Sequence, residues 1–279
     1  MRTPSRALSP REPRPPRRVP PKTIPAFPVY NPCMRLLCVT AHPDDEAASF
    51  GGSLRLYHDR GVETAVLCLT PGQAASNRGT ARNDHELSAI RRQELAASCT
   101  LLGVDRHRVL DYSDGKLHRL DLYSVVQDIT RYLREFRPHV VLTFGPEGAV
   151  TGHTDHSMAS IFATLAFEWA GRNNRYPDHF TQGLPPYRPQ KLYYATANFT
   201  LPDRPPIAPP PTTAIIPIED YVDTKVAAFQ AHTTQSPVFP WVIPAILARG
   251  REEHFHLAAT SEPREIKMET DLFEGVRDD

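Results

Sequence analysis

The chain has 279 residues, and its 32 Lys and Arg match its 32 Asp and Glu. The match is uneven along the chain: residues 1–33 carry seven basic residues against the single acid Glu12, which leaves 25 basic and 31 acidic residues beyond them. An acidic body excludes the basic surplus usual in a nucleic-acid binder, and the apolar runs at 36–39 and 65–69 fall far short of the ~18–20 residues of a membrane span.

The length permits one large domain or two small ones, at ~100–200 residues each. No apolar segment follows the charged N-terminus as a secretory signal requires. Cys33, Cys38, Cys68 and Cys99 show no CxxC spacing and read as unpaired core residues of a reducing compartment, so the expected location is the cytoplasm.

Residues 1–33 hold ten prolines and little that could pack, so a disordered Pro/Arg-rich arm is expected. Two readings fit it: a basic tether for an anionic partner, or sequence upstream of a true start at Met34. Met34 directly precedes a strand pattern, which favours the second. The arm alone should bind an anionic surface at low salt if the first is right.

Beyond the arm, unbroken apolar runs at 36–40, 64–69 and 140–144 read as buried parallel strands. Helical patterns lie at 46–60, 85–102 (closed by Gly103), 122–136 (closed before Pro138) and 156–170. This alternation predicts an α/β Rossmann-like, mostly parallel sheet with helices on both faces. A strand at 191–196 follows, then a Pro-rich loop at 201–212. Strand 214–218, helix 220–231, a segment at 242–249 and a strand at 254–257 complete the pattern as extra C-terminal strands on the same sheet. The body is expected to span 34–262, with 263–279 a charged, flexible tail.

The most informative stretch is Ala41-His42-Pro43-Asp44-Asp45-Glu46, at the end of the first strand. Acids at a helix start serve as caps and complement its dipole, but that accounts for one or two of them and not for the histidine. A second cluster, Gly152-His153-Thr154-Asp155-His156, lies beyond the strand at 140–144 and a Gly-containing loop. In a doubly wound sheet ligands bind outside the C-terminal strand ends where connections reverse, so the clusters should meet there. Two imidazoles and a carboxylate are the donor set of a catalytic zinc site, where water reaches a pKa of roughly 7. One acid and one histidine are left over for proton transfer. Spacing alone does not choose between His153 and His156 as ligand, nor between Asp44 and Asp45.

With these strings, the span from Met34 to about residue 258 resembles the PIG-L/LmbE family of zinc-dependent N-acetylglucosaminyl deacetylases. Ala41–Glu46 resembles its first motif, Gly152–His156 its GHPDH motif, Arg91-Arg92-Gln93-Glu94 its RxxE helix, and Lys225 with His232-Thr233-Thr234-Gln235 its late K…HxxQ element. The resemblance implies zinc, or Fe2+ in vivo, held by His42, Asp45 and His156. It implies Asp44 as general base, His153 as general acid and oxyanion stabiliser, and Asp155 as the group orienting His153. Arg91 and His232 are implied to bind substrate; the plainer alternatives are a surface charge paired with Glu94 and a structural histidine. Glu46 is expected to support the helix start or the site from behind.

Thr154 replaces the family's usual proline, and Thr151 stands where mycothiol-pathway relatives carry a tyrosine that polarises the amide. The loops at 73–80 and 201–212 are expected to shape specificity. The implied activity is removal of acetyl from an N-acetylglucosamine conjugate, a small-molecule partner. An amidase on a thiol conjugate or antibiotic sugar, or a non-catalytic sugar-binding homologue, are the alternatives. No nucleic acid and no membrane span are expected, and a homo-oligomer is left open.

Overall fold

The computed structural model describes residues 30, 33–201, 204 and 206–278. The predicted arm therefore lies outside the described residues, apart from Tyr30 and Cys33. In chain order the main elements are β1 (Arg35–Thr40), α1 (Asp45–Asp59), β2 (Glu63–Cys68), α2 (Asp84–Leu102), β3 (Arg106–Val109), α3 (Leu122–Phe136), β4 (Val140–Phe144) and α4 (Thr154–Ala170). They continue with α5 (Asp178–Thr181), β5 (Lys191–Thr196), β6 (Ala214–Pro217), α6 (Val222–Gln230), α7 (Phe239–Arg249) and β7 (Glu252–Thr260).

One seven-stranded sheet runs in the order β3-β2-β1-β4-β5-β7-β6. The first five strands in that order are parallel, whereas β7 runs antiparallel to both its neighbours. The expected extra strands thus extend a single sheet and do not form a second domain. Strands β1, β2 and β4 are apolar on both faces because helices cover both: every residue of β4 is buried, as are five of the six in each of β1 and β2. Helices α1, α2 and α6 pack together as one layer, and α3 with α4 as another. Each fully buried Leu, Val or Phe in these layers contributes about 1.5–3 kcal/mol. Cys38, Cys68 and Cys99 are buried as expected, whereas Cys33, also expected in the core, is exposed just before β1.

The polar local signals agree with the elements. Asn83 and Asp121 accept from Glu86 N and Ser124 N as N-caps of α2 and α3, and Gly103 ends α2 at φ 71°. No helix among the described residues is long and apolar enough to cross a membrane.

Two stretches differ from the sequence reading. Strand β3 was not expected, because Arg106-His107-Arg108-Val109 carries no apolar run; it is an exposed edge paired only with β2, where charge suits an unpaired border. The segment after 262 is docked, which corrects the expected flexible tail. Glu269 bridges to β6 at Ala214, and its carboxylate lies 2.8 Å from Lys191 Nζ. Asp271 accepts from Tyr57 Oη at 2.9 Å, and Leu272 and Phe273 are buried. Lys191, itself buried at the start of β5, requires a counter-charge, which Glu269 of this segment brings to it.

The strand order turns at β1 and β4. The crevice between their C-terminal ends is where the two sequence clusters leave the sheet.

Candidate metal centre and active site

His42 and Pro43 follow β1 after Ala41, Asp45 and Glu46 open α1, and His153 is the N-cap residue of α4, with Asp155 and His156 in its first turn. Asp45 lies between two imidazoles: its Oδ1 is 3.1 Å from His156 Nε2 and its Oδ2 is 3.6 Å from His42 Nδ1. The same Oδ2 accepts from the main-chain N–H of Ala41 and His42, which fixes the carboxylate. Phe144, the last residue of β4, stacks on His156 at 4.1 Å between ring centres and orients it.

His153 joins this group. Its ring centre is 4.9 Å from that of His42 and 5.0 Å from that of His156, and ligand atoms of the three histidines lie within 4.8 Å of one another. His42, Asp45 and His156 are buried, whereas His153 is exposed at the rim. The described residues therefore hold a His/Asp group able to bind a metal ion. Two observations fit that occupant. His42 Nε2 and His156 Nδ1 are buried without an aligned hydrogen bond, and the donors are nitrogen and carboxylate oxygen, as divalent zinc or iron prefers.

A second group shares His42. Its Nε2 lies 3.1 Å from Asp114 Oδ1 and 3.4 Å from Asp155 Oδ2. Burial opposes protonation of His42, but the Asp114 and Asp155 carboxylates and then Asp45 overcome it and push its pKa up to about 10. Burial likewise opposes ionisation of Asp45, yet His156 and His42 hold its carboxyl well below the usual range.

Asp114 was missed from sequence. It sits in the loop after β3, and an unrecognised strand hid the strand-end position that would have pointed to it.

Asp44 is not a ligand-like neighbour of the imidazoles, and although it occupies the N-cap position of α1 its side chain does not cap the helix. Its backbone is left-handed at φ 115°, ψ −26°. Oδ2 instead accepts from Arg91 Nη2 at 2.9 Å. Burial raises the Asp44 carboxyl to about 6, with Arg91 opposing the rise and Asp45 adding to it.

Other sequence expectations are corrected in detail. Asp155 does not present its carboxylate to His153: that group accepts from Gly115 N at 2.7 Å and Leu117 N at 3.2 Å and faces His42. The main-chain N–H of Asp155 donates to His153 Nδ1 at 3.2 Å, which makes Nδ1 an acceptor and leaves Nε2 to carry the proton of the neutral ring. Burial, then His42 and His156, lowers the His153 pKa.

Arg91 is buried, 3 % exposed, and so is no surface charge; its sequence neighbour Glu94 accepts instead from Thr233 Oγ1, Thr234 N and Thr234 Oγ1. His232 is fully buried against Glu46 (Nε2 to Oε1, 2.7 Å), so it has no surface left to meet substrate. The late sequence element braces the site: Gln235 Nε2 donates to the Asn77 carbonyl, and Lys225 pairs with Glu253.

Comparison with known proteins agrees with this architecture. Residues 37–167 match the family model described as PIG-L, GlcNAc-PI de-N-acetylase. A 1D-myo-inositol 2-acetamido-2-deoxy-alpha-D-glucopyranoside deacetylase of Rhodococcus jostii is 30 % identical, over 87 % of this chain and 98 % of its own length. The diacetylchitobiose deacetylase of Thermococcus kodakarensis is 29 % identical over 76 % of this chain and 74 % of its own. Among solved structures, the N,N'-diacetylchitobiose deacetylase of Pyrococcus horikoshii superposes with a TM-score of 0.68 at 26 % identity, covering 83 % of this chain and 87 % of that one. With the two histidine–carboxylate clusters meeting where β1 and β4 end, these similarities make the chain a member of the PIG-L family.

Proposed function

We propose that the protein is a zinc-dependent deacetylase that hydrolyses the acetamide of an N-acetylglucosamine conjugate, releasing acetate and the free amine. The observation that carries this reading is a buried His42–Asp45–His156 cluster with Asp44, which no such cluster needs for binding, and an exposed His153 beside it. His42, Asp45 and His156 are the residues that would hold the metal. When bound, the ion supplies a Lewis acid and lowers the pKa of water to roughly 7.

The remaining chemistry belongs to the chain. Asp44, a partly exposed carboxylate with its pKa near the working range, accepts the proton of the attacking water. His153 stands at the rim with Nδ1 fixed by Asp155 N, so that Nε2 donates a hydrogen bond to the developing oxyanion, while the proton that Asp44 takes from the water passes on to the leaving amine. Asp155 and Asp114 brace His42 from the far side of the cluster.

The relatives named above act on N-acetylglucosaminyl inositol and on diacetylchitobiose, which supports a conjugate of that sugar as substrate. A decisive experiment is metal analysis of the purified protein with acetate release from N-acetylglucosaminyl inositol, N-acetylglucosaminyl malate and diacetylchitobiose. The expected result is one equivalent of zinc, or of Fe2+ under anaerobic preparation, and acetate from at least one conjugate that chelation abolishes. Full activity after complete metal removal would sink the reading. So would stoichiometric metal with no acetate from any of the three.

A further inference from the structure

Asp44 stands at the N-cap position of α1 in a left-handed backbone conformation, φ 115°, that aspartate seldom adopts. An N-cap aspartate ordinarily has extended backbone and turns its carboxylate onto the N–H groups of the first turn. In the reciprocal form of this cap, a glutamate of the first turn returns a bond to the N–H of the capping residue. Only the return bond is made here. Glu46 Oε2 accepts from the Asp44 N–H at 3.0 Å, while the Asp44 side chain makes no cap bond and is 23 % exposed.

Glu46 itself is fully buried and cannot reach substrate. Its Oε1 accepts from Ser98 Oγ at 2.6 Å and meets His232 Nε2 at 2.7 Å, so the carboxylate is held from α2 and from the turn after α6. Among the described residues, none of these bonds goes to the side chains of His42, Asp45 or His156. The N–H that Glu46 holds belongs to the Pro43–Asp44 peptide, whose carbonyl accepts from Arg91 Nη2. With both ends of that peptide tied, Asp44 is kept from relaxing to ordinary N-cap geometry.

We propose that Glu46, seated by Ser98 and His232, is a positioning residue: it fixes the Pro43–Asp44 peptide and so keeps the Asp44 carboxylate off the end of α1, free to take a proton. The proposal rests on Asp44 as the proton acceptor of the deacetylase read above. A support of the metal ligands would differ from it in what a substitution removes. Loss of such a support lowers metal affinity. Loss of a bond that places the base leaves the metal bound, misplaces the base by about an ångström and lowers kcat on the order of 10²-fold.

The test compares wild type, Glu46→Met, Glu46→Gln and a double variant that joins Glu46→Met to His232→Leu. N-acetylglucosaminyl inositol and diacetylchitobiose serve as substrates, and metal content is measured for each protein. Glu46→Met is expected to keep its metal, to lose about 10²-fold in kcat and to hold KM within about threefold. Glu46→Gln still offers an oxygen to the Asp44 N–H and should recover about tenfold or more of that kcat. The double variant replaces a buried pair by apolar groups at little net cost and strands no charge. It should reproduce the kcat loss even where Glu46→Met does not fold.

An unchanged kcat in either methionine variant would overturn the proposal, as would a loss of activity that follows loss of metal. A rise in KM of roughly tenfold with kcat preserved would do the same. Equal losses in Glu46→Gln and Glu46→Met would also overturn it, since the proposal requires the acceptor and not the charge. A crystal structure of the double variant decides independently of turnover: Asp44 at negative φ supports the lock, and Asp44 still at its wild-type φ overturns it. Wild type that carries metal and hydrolyses neither conjugate would count against the deacetylase reading, while the crystal structure would still decide the lock.

Discussion

His232 Nε2 and Glu46 Oε1 lie 2.7 Å apart, and neither side chain has any accessible surface. The pair joins the turn after α6 to the first turn of α1, immediately behind the residues that would hold a metal. A buried carboxylate keeps its charge only while its partners remain, and breaking such a pair leaves the surviving charge uncompensated.

His232→Ala should therefore lower stability by about 3–5 kcal/mol. His232→Gln, whose amide can still donate to Glu46, should recover a substantial part of that loss. Urea unfolding at neutral pH measures both. A cost below ~1 kcal/mol for the alanine variant would show that the imidazole is not what balances Glu46.

Asp44 gives a second prediction, about backbone strain. At φ 115° a side chain crowds the main chain, and such residues cost on the order of 1–3 kcal/mol. Asp44→Ala and Asp44→Gly both abandon the Arg91 contact, so their difference isolates the backbone. Glycine should be the more stable by about 1 kcal/mol, the reverse of its usual rank against alanine. Both variants should be inactive in acetate release. Equal melting temperatures would mean that the strain is not stored at Asp44.

The docked C-terminal segment is testable in the same currency. Glu269→Leu leaves the Lys191 ammonium buried among neutral acceptors, Tyr193 Oη and the Leu272 carbonyl, and should cost about 3–5 kcal/mol. Adding Lys191→Met to the same chain should return most of that loss, because an apolar pair replaces an ion pair at little net cost. A double-mutant cycle in urea would reveal the coupling; strictly additive losses would show that Glu269 and Lys191 do not depend on each other.

These residues also show what could be read before any fold was known. Strands β1, β2 and β4 were legible because burial on two faces leaves unbroken apolar runs, and the clusters at His42 and His153 were legible because no structural role needs histidine and paired aspartates together. Strand β3 was not, since an edge strand satisfies itself with main-chain bonds and keeps its arginines outside. Asp114 was lost with it. For His232 the choice between substrate contact and structural histidine stayed open, because a motif gives a residue's identity and not its depth. The last residues were misread for a related reason: Glu269 and Asp271 look solvent-seeking in a charged stretch, and only the three-dimensional neighbours Lys191, Tyr57 and Arg60 turn them inward.

A histidine far from the proposed centre carries the pH prediction. His179 is fully buried, and its Nδ1 lies 3.1 Å from Arg134 Nη1; a guanidinium can only donate, so the ring must accept and stay neutral. Burial, and then the Arg131 and Arg134 charges, lower its pKa from 6.5 to about 4. The unfolded chain binds a proton near pH 6.5 that native His179 refuses until about pH 4. Between those values the unfolded state holds more protons, so stability rises with pH there and falls as the solution is acidified. The stabilisation is fully present above pH 6.5 and is lost as pH falls through about 4, a change on the order of 3–4 kcal/mol at roughly 1.4 kcal/mol per unit. His179→Asn keeps an acceptor for Arg134 but cannot titrate. Urea unfolding of both proteins from pH 7 to pH 4.5 should give stability curves that converge on acidification, wild type falling more steeply. Parallel curves across that range would mean that His179 takes its proton in the folded state as readily as in the unfolded one.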